Sequence, residues 1–157
     1  MLRKMLRDPR LEVGLIPSIG LLALRLGAGI SMALAHGWPK LGRLLGDEPI
    51  RFADPFGLGV TASLVLAVFG ELVCGMLIAL GLGTRLAVIP FAITMLVAMF
   101  HAHAADPWGD KEHAFLFLVP AVTLLLTGPG RLSLDALIAK RFRPPVASSS
   151  PAAQAAE

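Results

Sequence analysis

Four stretches of this chain run for fifteen residues or more with at most one ionisable side chain, and any fold must find an apolar surrounding for all of them. They are Ile16 to Ala35, broken by Arg25; Phe56 to Thr84, broken by Glu71; Leu86 to Phe100; and Ala114 to Gly128. A 157-residue soluble domain cannot hide that much: 55% of the residues are hydrophobic, 16% are charged and the mean hydropathy is +0.73, against roughly 45–50% apolar and about 25% charged in soluble proteins. The solvent for these stretches is lipid. In lipid every backbone amide needs an internal partner, and the stretches lack the apolar/polar alternation of a barrel, so they are helices. The fold class expected is an all-α, polytopic membrane protein, a four-transmembrane-helix bundle with spans over about 16–36, 56–84, 86–103 and 112–128.

The turn residues agree with that division. GLGTR at 81–85 and PWGD at 107–110 read as tight connections, and GPG at 128–130 stops the fourth helix. Pro90 and Pro120 fall inside apolar runs, where neighbouring helices tolerate them. The longest connection, Gly37 to Phe56, holds Lys40, Arg43, Asp47, Glu48, Arg51 and Asp54 and reads as a surface loop or a short interfacial helix. Residues 1–15 form a basic segment, 16–138 the membrane domain, and 139–157 a small, Pro- and Ser-rich tail expected to be disordered. Four crossings place both ends on one face with Arg3, Lys4, Arg7, Arg10, Arg85, Arg131, Lys140, Arg141 and Arg143, against Lys40, Arg43, Arg51 and Lys111 on the other. The positive-inside rule then puts both termini in the cytoplasm of a bacterial inner membrane. A cleavable signal peptide ending at Ala33-Leu34-Ala35 is the rival, but its apolar stretch is too long and carries Arg25.

Ionisable groups deep in a bilayer are costly, about 2.5–3.5 kcal/mol each on the lenient insertion scale, so Arg25 and Glu71 must have partners. Counted from the cytoplasmic ends of their helices they lie at similar depths, about 14 and 17 Å, which predicts an Arg25–Glu71 ion pair. Ala67 and Gly75, one turn either side of Glu71, predict close helix packing on its face. Two readings stand: a structural lock between helices, or a site where Glu71 handles protons or anchors a polar ligand.

A second polar group gathers at the opposite ends of the helices: His36, His101, His103, Glu112 and His113. Arg25, Gly29, Met32 and His36 share one helical stripe, which links the two groups. His101 and His103 point about 200° apart on an ideal helix, so only one faces the bundle. His36, His101 and His103 are weak metal candidates, because no recognised ligand spacing occurs. The alternatives are interfacial histidines bonded to loops and headgroups, or a quinone headgroup site or proton relay. Cys74, the lone cysteine, reads as an apolar filler, and Trp38 and Trp108 as an interfacial belt. Nucleic acid is excluded because the basic residues do not gather on one face.

RLGAGISMALAHGWPKL (25–41), ELVCGMLIALGLGTRLA (71–87) and EHAFLFLVPAVTLLLTGPGRLSLD (112–135) resemble the DoxX family of small four-helix membrane proteins over roughly residues 17–138. Arg25, His36, Gly37, Lys40, Glu71, Gly75 and Thr84-Arg85 match the family pattern. Cys74-Gly75 stands where Gly-Gly is usual, and Glu112-His113 where Glu-Tyr is common. The resemblance implies a membrane component of a redox or thiol-stress system, working with partner proteins and open to homo-oligomerisation. Glu71 and Arg25 are then the candidates for chemistry, and His36, His101, Glu112 and Lys40 for binding a quinone or sulfur species. A small proton or solute carrier and a non-catalytic assembly scaffold are the other functions weighed.

Overall fold

The computed structural model describes residues 14–142; the basic N-terminal segment as far as residue 13 and the tail from residue 143 lie outside them. Four long helices and a short one make up the described chain: α1 (Leu15–Leu45), α2 (Val60–Leu80), α3 (Thr84–Ala102), α4 (Trp108–Thr127) and α5 (Leu134–Arg141). Each of the long helices packs on the next, and α4 closes against α1. α1, α2 and α3 are long and apolar enough to cross a membrane. α4 spends its opening turns on Asp110, Lys111 and Glu112, leaving the apolar run from Ala114 to Thr127, about 21 Å at 1.5 Å per residue.

Burial runs opposite to a soluble protein. The interior holds Leu64, Ile78, Val88, Phe91 and Leu124 together with Ser18, Arg25, Cys74 and Thr84. The outer surface carries the large apolar side chains, among them Ile16 at 83% exposure and Leu86 and Leu126 at 72%. An apolar girdle of that extent is stable only against acyl chains, so the chain is a membrane protein.

Two boundaries differ from the sequence reading. α1 does not stop near residue 36 but continues to Leu45, so the start of the charged connection is helical, the second of its two readings, and Lys40 stands on α1 itself. Pro39 is accommodated two residues after the π turn Ala33–Gly37, where the hydrogen-bond ladder already changes step. α2 starts at Val60 and not at 56, because Asp54 arrests the incoming chain: its carboxylate accepts hydrogen bonds from the Leu58 and Gly59 amides, both at 2.9 Å, and from the Ser63 hydroxyl at 2.8 Å. The Ser63 hydroxyl and then the Gly59 amide hold the Asp54 carboxyl below its usual range. A carboxyl so depressed stabilises the fold fully above its unfolded-state pKa, and that contribution fades as pH falls through the folded one. Asp54→Ala is therefore expected to lower the melting temperature at neutral pH, to speed amide exchange in the first turn of α2, and to lose less stability on acidification than wild type.

Candidate functional site

Three of the helices contain a π turn: Ala33–Gly37 in α1, Phe69–Val73 in α2 and Ala98–Ala102 in α3. His36, Glu71 and His101 each sit in one of them. π turns recur at functional sites because the extra residue re-aims side chains. Those of α1 and α2 pack directly on each other: a Cβ placed on Gly37 would lie 2.6 Å from the Leu72 amide nitrogen and 2.7 Å from its Cα. Only glycine permits that approach, and it brings the next turn of α1 over Glu71.

Lys40 then reaches Glu71. Its Nζ donates to Glu71 Oε2 at 2.5 Å, with the lysine side chain 20% exposed and the carboxylate side chain 6%. A carboxylate this buried persists as an ion only with its charge matched, and a charge-assisted hydrogen bond is the strong form of that match. Beside the pair, the His36 ring stands 5.3 Å from that of His113 and 6.0 Å from Phe117, which is 5.8 Å from His113 and 6.4 Å from Phe91. Glu71 is buried, His36 half-buried and His113 exposed. The cluster couples one buried carboxylate, one ammonium and two imidazoles against an aromatic wall, a set that can donate hydrogen bonds to a carbonyl and exchange protons.

Arg25 does not pair with Glu71. Its guanidinium, fully buried, donates to Ala79 O at 3.0 Å and Leu132 O at 2.5 Å. Ala79 is one of the last residues of α2, whose carbonyls have no intrahelical partner, so the arginine caps that helix with the favoured sign of charge. Asp135 does the converse for α3, accepting from the Gly83 amide at 2.7 Å and the Thr84 amide at 3.0 Å. Gly81, at φ +70°, makes the turn between the helices and leaves room for the guanidinium and Ser133. The depth count failed because the helices do not start from one plane. α1 runs about ten residues before it meets the end of α2, with Gly130 and Arg131 packed beside Ser18 in that first part. Glu71 is eight to ten residues from Ala79 and Gly81, about 12–15 Å farther along α2.

The remaining candidates separate. His101 and Glu112 are exposed and enter none of the ring or ion-pair contacts of the cluster, although His101 occupies a π turn. His103 bonds Asp106 at 2.8 Å near the surface. His36, His101 and His103 thus do not converge, and among the described residues no three His, Cys, Asp or Glu side chains group at metal-binding distance. Cys74 is buried in the apolar core. Trp38 and Trp108 are exposed, Trp108 with its ring 5.7 Å from Phe115. Gly75 packs as its size suggests, against Gly29 and Ala33 of α1.

His113, grouped with His36 by the sequence, meets it here, and Phe117 is the partner the sequence did not single out. Its signal is the stripe His113, Phe117, Pro120 and Leu124 on α4, spaced 4, 3 and 4, with Pro120 and Leu124 buried. The missed signal for Lys40 is its spacing of four from His36.

A family model described as DoxX matches residues 20–104. A Bacillus subtilis protein named "Putative oxidoreductase CatD" is 34% identical over 123 residues, covering 78% of this chain and 89% of the relative. The Mycobacterium tuberculosis protein named "Uncharacterized membrane protein Rv3486" is 36% identical over 85 residues, covering 45% of this chain and 52% of its own. No solved structure matches the chain.

Proposed function

The chain belongs to the DoxX family, and from that premise we propose that it is a membrane subunit of a redox or thiol-stress system whose Glu71, Lys40 and His36 bind the headgroup of a quinone or a small sulfur species. The observation that carries this reading is the buried Glu71–Lys40 pair beside the His36–His113 rings. An ion pair in an apolar interior is weak as a source of stability, since well-packed apolar residues do as well or better. Arg25, by contrast, has an evident architectural task at the α2–α3 turn. The residues fit a ring bearing carbonyls: Lys40 and His36 supply donors, Phe117 an aromatic wall, and Glu71 holds Lys40 in place. The oxidoreductase in the name of the Bacillus relative is in keeping with a redox role.

In this reading α4 is the fourth crossing and both termini face the cytoplasm of a bacterial inner membrane, as the distribution of Lys and Arg favours. The cluster then lies toward the outer face and the subunit acts with redox partner proteins. The test is equilibrium binding of a quinone analogue to the full chain in lipid nanodiscs. Glu71→Gln is expected to cost a charge-assisted contact, about 1.5–3 kcal/mol or roughly ten- to a hundredfold in Kd. No binding by the wild-type chain, or equal binding by the variant, overturns the proposal.

A further inference from the structure

The geometry points to a proton path from the membrane surface to Glu71 through His113, His36 and Lys40. It extends the site proposed above and rests on Glu71 as its polar centre. The four groups follow one another in order of burial: Glu71 with its side chain 6% exposed, Lys40 at 20%, His36 half-buried and His113 exposed. Consecutive members are close. Lys40 holds Glu71 at 2.5 Å, His36 precedes Lys40 by four residues on the same helix, and the centroids of the two rings are 5.3 Å apart, within reach of direct or single-water transfer. His113 follows Asp110, Lys111 and Glu112, residues that belong at the aqueous boundary, so the outer end of the path meets water.

The chemistry balances. A proton from water enters His113 and passes to His36, one nitrogen of each imidazole accepting while the other donates. Lys40 gives its own proton to Glu71 and is recharged from His36, so one proton has moved from water to the carboxylate and the three carriers end as they began. The packing elements set what else bears on the path. Glu71 is the sole acidic side chain of α2, and Arg43 of α1, His101 of α3 and Glu112 of α4 are exposed at the same end.

The experiment is time-resolved infrared spectroscopy of the full chain in lipid nanodiscs after a rapid acid step, with the carboxyl band that Glu71→Gln removes identifying Glu71. His113→Phe is expected to slow the rise of that band on the order of a hundredfold, the usual worth of a positioned proton carrier, and added imidazole is expected to restore the rate in His113→Ala. His113→Asn, polar and small but unable to shuttle, is expected to be slow as well and covers failure of the phenylalanine variant to fold. An unchanged rate in either variant overturns the path, as does a Glu71 that takes up no proton while the protein stays folded. The reading uses no quinone, so loss of the ligand proposal and loss of the path are separate outcomes.

Discussion

Replacing Arg25 with methionine is expected to destabilise the protein by about 1–4 kcal/mol, because the buried Ala79 O loses its donor at about 1–3 kcal/mol and the part-buried Leu132 O loses its donor at less. Methionine approximates the volume of the stem, so the loss reports on polar satisfaction more than on a cavity. Three elements meet at this side chain: α1, the end of α2 and the segment leading into α5. Their separation is expected to appear as faster amide exchange at Gly81 to Thr84, where Asp135 caps α3. Arg25→Lys retains the charge without the planar fork and is expected to recover only part of the loss. Denaturation in mixed micelles measures the effect, and a change below about 0.5 kcal/mol, the usual range for surface substitutions, would show that the guanidinium is not the joint described.

Gly37→Val is expected to be the most damaging substitution for the site. The added Cβ would stand 2.6–2.7 Å from backbone atoms of Leu72, and backbone inside two opposed π turns cannot move aside as a side-chain tip does. Overpacking of this kind costs about 1–3 kcal/mol. The further consequence bears on the proposed site: Lys40 is one turn beyond Gly37 and Glu71 adjoins Leu72, so forcing the helices apart is expected to break the ion pair and, if the proposal holds, to abolish quinone-analogue binding. Gly42→Ala is the control on the same helix. A Cβ there meets nothing within 4 Å, and replacing a helical glycine by alanine gains roughly 0.5–1 kcal/mol. Opposite signs at the two glycines, read by thermal unfolding and ligand binding, check the packing directly.

Much of the architecture was legible in the residue order because a bilayer demands long apolar segments and backbone that satisfies itself. Such segments announce themselves, and the small residue at Gly75 announces close packing. What could not be read was register. The apolar lengths do not say how far α1 slides past α2, and counting inward from assumed ends placed Arg25 level with Glu71. Nor does any pattern mark a π turn, so the turn that carries α1 unbroken past Gly37 and Pro39 has no signal, and the sequence leaves the segment of Lys40 open between a surface loop and a short interfacial helix.

Membrane residence, helical class and the identity of the polar residues that need partners follow from composition and spacing, since hydration and hydrogen bonding act on every residue locally. Which partner each receives does not. Glu71 finds Lys40, and Arg25 finds two carbonyls, only because glycine-mediated contact at Gly29 and Gly37 sets the offset of two helices. Apolar faces slide past one another at little cost, so side-chain shape, summed over the whole interface, selects the offset and with it the chemistry.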